Sequence, residues 1–144
     1  MKGKPLIIAF MLIVAAVAAV SIAVSLLIDK TEKSVATLPS PDGKYKAVTI
    51  TLRGGGSKPF CFDSVSVFFS IYPDGFAERD KAYEIFSAPC GAFADGKSSP
   101  KIEWTSDTAL QIAYSDKPAL GVRKSTMKPI DVTKTVHVNF VAKP

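Results

Sequence analysis

"KIEWTSDTALQIAYS", Lys101 to Ser115, is the stretch on which the fold turns. Ile102 and Trp104 alternate with charged and polar residues, Thr105 to Thr108 are turn formers, and Leu110, Ile112 and Tyr114 alternate again on the way back. A side-chain period of two on both sides of a polar turn reads as a β-hairpin with one buried face. Trp104 is expected to lie largely buried among Ile102, Leu110 and Ile112.

Moving outward, the same alternation recurs. "SPDGKYKAVTI", Ser40 to Ile50, opens with Pro-Asp-Gly, where Pro presets φ and Gly accepts a positive φ. The strand behind it puts Val48, Ile50 and Leu52 on one side. In "DSVSVFFSIY", Val65, Val67, Phe69 and Ile71 share a face, with Ser66 and Ser70 opposite. A second Pro-Asp-Gly, Pro73 to Gly75, follows. "AYEIFSAP" is a shorter strand, and "TKTVHVNFVAKP" closes the chain with Val136, Val138 and Phe140 on one face. The sequence therefore predicts an all-β domain over residues 40–144, a small twisted antiparallel meander or sandwich. Strings such as SPDG also open propeller blades. A blade takes about 40–50 residues and a closed ring needs at least four, whereas residues 29–144 amount to little more than two.

Residues 1–28 have a different character. Pro5 to Ile28, "PLIIAFMLIVAAVAAVSIAVSLLI", is a run of 24 residues without charge. As a helix it would span roughly 36 Å, enough for a hydrocarbon core of about 30 Å with some tilt. A cleaved signal peptide is the competing reading, with Lys2 and Lys4 as its basic region and Ala16-Val17-Ala18 as a small-x-small site. Cleavage there would leave "AVSIAVSLLI" as a free apolar end in water, so an uncleaved transmembrane signal anchor is expected. Lys2 and Lys4 precede the span, whereas Asp29 and Glu32 offset Lys30 and Lys33 after it. The positive-inside rule then keeps the N-terminus in the cytoplasm and exports the rest. The expected location is single-pass in an inner or plasma membrane, with the C-terminal domain periplasmic or extracellular. Residues 29–39 are polar and aperiodic and read as a linker.

Cys61 and Cys90 are the only cysteines, and in an exported domain an even pair reads as a disulfide. There is no CxxC spacing, and the single histidine, His137, cannot complete a zinc set. No metal and no cofactor are expected.

The order of "SPDGKYKAVTITLRGGGS", "VSVFFSI" and "PKIEWTSDTALQIAYS" resembles a group of small bacterial proteins of unknown function. These have an N-terminal membrane or export segment, an SPDG-opened strand and a closing W-x-S-D-x-x-L-x-I-x-Y hairpin. The resemblance covers roughly Ser40 to Ser115 and implies fold and envelope location. It implies no activity and no catalytic residues.

Reaction chemistry finds little purchase here. There is no G-x-S-x-G elbow, and His137 alternates outward with Thr135 and Asn139 on the last strand. Asp42, Asp74, Asp95 and Asp107 sit in turns, where Asp hydrogen-bonds the backbone. Gly54 to Gly56 lacks the G-K-[ST] and the following helix of a phosphate loop. The expectation is a protein that is not an enzyme. Two features point to binding. In "GGGSKPFCF", Phe60 and Phe62 flank Cys61 on a loop that a bridge would tether; the plainer reading is that both rings pad the mouth of the core. From Lys117 to Pro144 there are six basic residues against the one acid Asp131, while the rest of the chain balances at 12 basic and 12 acidic. The whole net charge of +5 thus sits in the last 28 residues, with Arg123 and Lys124 adjacent at its centre. Nucleic acid is the habitual partner of such a patch, but the compartment argues against it. An envelope protein or an anionic envelope component is the expected partner, and a merely solvated face the plainer alternative. The functional expectation is a membrane-anchored, non-catalytic binding or scaffolding domain. The alternative is an envelope immunity protein that inhibits a toxic enzyme, by analogy of format only.

Overall fold

The computed structural model describes residues 11–21, 31–55, 58–117 and 126–144. The Ser40 turn shows how the chain starts its first long hairpin. Ser40 Oγ donates to Asp42 Oδ1 (2.7 Å) and accepts from the Tyr45 N–H (3.0 Å), and Asp42 Oδ1 accepts from the Lys44 N–H (3.1 Å). Gly43 takes φ +72°, a left-handed conformation that costs an L side chain energy and glycine almost none. The second Pro-Asp-Gly behaves differently. Gly75 stays right-handed at φ −61° and starts a one-turn helix instead of a hairpin.

The strands are β1 (Thr31–Pro39), β2 (Tyr45–Gly54), β3 (Phe60–Phe69), β4 (Glu84–Pro89), β5 (Gly91–Ala92), β6 (Ser98–Ser99), β7 (Lys101–Ser106), β8 (Ala109–Ser115), β9 (Thr126–Met127) and β10 (His137–Lys143). The all-β expectation is met. One sheet has the order β1-β2-β3-β4-β9 and is antiparallel throughout; a second has the order β10-β8-β7, and β5 with β6 forms a small ribbon. The helical parts are residues 11–21 (α1), Phe76–Arg79 (α2) and a 3-10 turn, Lys81–Tyr83. Among the described residues no helix is long and apolar enough to cross a membrane, and the remainder of the expected span from Pro5 to Ile28 lies outside them.

Both faces of the five-stranded sheet are covered. On one, Tyr45, Ala47, Val65, Val67 and Phe86 meet Leu110, Ile112, Val136 and Val138 of the smaller sheet and its approach. On the other, Val48, Ile50 and Phe68 lie under Ala77, with Phe76 and Tyr83 half-buried around them. The Phe68, Phe76 and Tyr83 rings meet edge-on at centroid distances of 5.1 to 6.2 Å, the geometry that aromatic quadrupoles favour. Lys46 is buried on this face. Its Nζ donates to Asp74 Oδ1 (2.6 Å) and lies 5.5 Å from the Phe68 ring centroid, and Thr37 Oγ1 donates to Asp74 Oδ2 (2.7 Å). These two donors hold the Asp74 carboxyl below its ordinary range, so Asp74 ties β1 and β2 to the segment that covers them.

Three expectations need correction. Thr31–Pro39 is not a linker but an edge strand, paired with β2 over nine registers from Thr31↔Gly54 to Pro39↔Lys46. All nine of its side chains are exposed, so burial imposes no alternation on the sequence. The sheets are not purely antiparallel, since β10 runs parallel to β8. A parallel pair needs a long crossover, and the chain between them makes one by way of β9 on the other sheet. The third is the face of β3. Val65 and Val67 are in the core, but β3 ends opposite Tyr45 at Phe69, which stacks on Tyr45 at the rim, and Ile71 beyond it is 86% exposed. Ser66, on the opposite face, is buried.

Trp104 is half-buried. Its ring packs against the shared core, and its Nε1–H donates to the Leu38 carbonyl (3.0 Å), joining β7 to β1. Trp104→Ala is expected to cost about 2–3 kcal/mol in denaturant unfolding, below the roughly 3–5 of a fully enclosed aromatic. Trp104→Phe should cost about 1 kcal/mol, because water can reach the Leu38 carbonyl on the exposed edge strand.

Candidate binding surface

Strand direction gathers one set of ends. β1 begins at Thr31 opposite Gly54, where β2 ends, and Gly54 in turn faces Phe60, where β3 begins. Phe62 faces Pro89 near the end of β4. One rung further out the Cys61–Cys90 disulfide joins these two strands, with Cα atoms 5.2 Å apart and the Cys90 N–H donating to the Cys61 carbonyl (3.1 Å). The sequence paired these cysteines correctly.

Gly54 is required here by a neighbour. Any Cβ on it would fall within the Phe60 ring, so the ring lies directly over the glycine of the adjacent strand. Phe60 remains 40% exposed and Phe62, level with Leu52, is half-buried. The two rings share a strand face. Arg123 and Lys124 lie outside the described residues.

Beside this edge a cavity of about 490 Å³ is lined by Glu32, Lys33, Ser34, Thr51 and Arg53. Asp63 stands opposite Thr51 on the next strand, buried, and accepts a hydrogen bond from Thr51 Oγ1 (2.5 Å). Burial pushes its carboxyl above the ordinary value, against the opposing pull of the Thr51 donor and the Arg53 charge. A carboxyl whose pKa is higher folded than unfolded opposes folding while ionised, and that penalty is relieved as pH falls through the folded value. Asp63→Asn, which keeps an acceptor for Thr51, is therefore expected to raise the melting temperature at pH 7. The gain should vanish at pH 3, where both forms are neutral, as thermal unfolding at the two pH values would read. Sequence reasoning missed Asp63 because nothing in "CFDSV" marks an acid on the inner face.

The smaller sheet contributes its ends to the same side. The Ser115 N–H donates to Ser99 Oγ (2.8 Å), the Asp116 N–H to the Lys143 carbonyl (3.1 Å) and the Ala94 N–H to the Pro144 carbonyl (2.8 Å). A Cβ on Gly91, just after the disulfide, would stand 3.5 Å from the Ser115 Cβ, which places the ends of the two sheets side by side. Between the β5–β6 ribbon and the smaller sheet is a second cavity of about 590 Å³, whose charged lining residues are Asp95, Lys97, Lys101 and Lys143. Lys97 pairs with Asp95 at 2.8 Å, which lowers the Asp95 carboxyl and raises the Lys97 amine. Lys58, Lys101, Lys117 and Lys143 have no ion-pair partner among the described residues. Among those residues no group of three or more His, Cys, Asp or Glu is placed to hold a metal ion. His137 is exposed.

Comparison with protein-family models, curated proteins and solved structures finds no match for this chain.

Proposed function

We propose that this chain is a single-pass membrane protein whose β domain stands on the exported side and binds or scaffolds another envelope component without catalysing a reaction. The observation that supports this most directly is α1. All of its residues 11–21 are exposed, with Met11, Leu12, Ile13, Val14, Val17 and Val20 between 51% and 67% accessible. An apolar helix with no face of the described residues against it needs an apolar solvent, and it lies within a charge-free run of 24 residues. Ser21 donates its hydroxyl to the Val17 carbonyl (2.8 Å), which satisfies the one polar side chain there inside the helix. The disulfide agrees with an oxidising compartment. Binding rests on the cavities and cations at one end of the domain.

Two measurements test it. The chain should resist alkaline carbonate extraction, and a C-terminal alkaline phosphatase fusion should be active while a β-galactosidase fusion at the same position is not. Extraction into the soluble fraction, or the opposite fusion pattern, would refute it. Crosslinking in intact cells followed by detergent solubilisation should then capture an envelope component through residues near Phe60 and Lys101.

A further inference from the structure

We propose that the end of the domain where β1 begins is a lipid-headgroup surface, held against anionic phospholipid of the same bilayer that anchors the chain. This rests on the anchored reading above. The tether is short. Ile28 closes the uncharged run and Thr31 opens β1, so the intervening chain covers at most about 10 Å. Because Thr31 is level with Gly54 and Phe60, the end of β2, the start of β3 and the disulfide are held near the membrane surface with it.

This end is chemically suited to that neighbour. Arg53, Lys58, Lys101, Lys117 and Lys143 are exposed here, against the exposed acids Glu32 and Asp116 once Lys97 and Asp95 have neutralised each other. The hairpin turns of the opposite end bring Asp42, paired with Lys44 at 3.6 Å, and Asp107. The turn into β10 adds the exposed Lys134 and the buried Asp131 to that opposite end, so no excess of cations collects there, and the domain is polarised with its excess cations facing the tether. Exposed lysines close to a bilayer are attracted to anionic headgroups within a Debye length. Phe60, exposed at the rim, and Phe93, half-buried beside the second cavity, offer apolar surface at headgroup level. A soluble anionic ligand would need no such placement. The short tether is the reason the membrane itself is the occupant assigned.

The test uses the full chain reconstituted in nanodiscs of phosphatidylcholine alone or with phosphatidylglycerol added. Amide hydrogen exchange is then followed at residues 54–62 and 93–101. Exchange there should be several-fold slower in the anionic discs, and the difference should shrink in high salt. The triple variant Lys58→Glu, Lys101→Glu, Lys143→Glu should exchange at the phosphatidylcholine rate in both. Equal rates in the two kinds of disc, for incorporated and folded wild-type protein, would overturn the proposal while leaving the anchor intact. So would slow exchange that survives the triple reversal or high salt. A chain that fails to enter discs at all would overturn the anchored reading, and this inference with it. If the triple variant does not fold, the wild-type contrast between lipids and its salt dependence decide.

Discussion

Asp131→Ala is expected to destabilise the domain by about 4 kcal/mol. The carboxylate is 2% exposed and its two oxygens organise the turn that leads into β10. Oδ1 accepts from the Thr135 N–H (2.9 Å) and the Val136 N–H (2.7 Å), and Oδ2 from the Thr133 N–H (2.9 Å) and the Thr133 hydroxyl (2.5 Å). Alanine would strand three backbone donors, of which the Val136 N–H belongs to a residue with no exposure at all. Each unsatisfied buried donor costs about 1–3 kcal/mol, with the exposed ones at the low end because water reaches them. Val136 and Val138 are part of the core between the two sheets, so a loosened turn is felt there. Asp131→Asn keeps one acceptor oxygen and turns an amide toward the other donors, so about half the loss is expected. Chemical denaturation of the three proteins side by side reads the difference. Equal midpoints would show that the turn holds without the carboxylate.

The double variant Cys61→Ser, Cys90→Ser should lose about 3 kcal/mol. The two residues are 29 apart in the chain, and closing a loop of that length removes entropy chiefly from the unfolded ensemble. The loss should show as a lower urea midpoint, with reductant moving the wild type to the same value. Locally, amides of residues 60–62 and 89–92 should exchange faster, because the bridge ties β3 to β4 where β3 begins and β4 has just ended. A double variant with the wild-type midpoint would mean that the thiols are not joined in solution.

At acid pH two carboxyls act in opposite directions. Asp74 has a depressed folded value, so its contribution is complete above the ordinary carboxylate range of about 4 and is lost as pH falls through the folded value. Asp63 is raised, so its penalty at neutral pH is relieved on acidification. Asp74→Ala should accordingly narrow the acid-induced loss of stability as well as lowering stability at pH 7, where it leaves the buried Lys46 ammonium without its carboxylate.

The sequence by itself determined the β class, the disulfide and most of the strand positions. Those follow from local rules: alternation marks a half-buried strand, Asp-Gly at Gly43 marks a left-handed turn, and two lone cysteines have only each other. What it could not convey is which strands become neighbours. Thr31–Pro39 is invisible as a strand because its hydrogen bonds lie along one edge while both side-chain faces meet solvent, and backbone pairing leaves no periodicity in the side chains. Pro-Asp-Gly at Pro41 and at Pro73 has the same three letters, yet only the first makes a hairpin turn. The second continues into α2, where Phe76 and Ala77 find the aromatic face of β3 to cover. Asp131 looked like an isolated acid in a basic stretch, and it became a buried hub only because the chain folds back on it within five residues. The cations show the same limit from the other side. Arg53, Lys58, Lys101 and Lys143 are scattered over 90 residues of sequence, and the strand directions, including the parallel pairing of β10 with β8, bring them to one end of the domain. Side-chain pattern is a local quantity, while strand adjacency is settled by competition among long-range contacts, so only the folded chain could reveal the surface from which function is inferred.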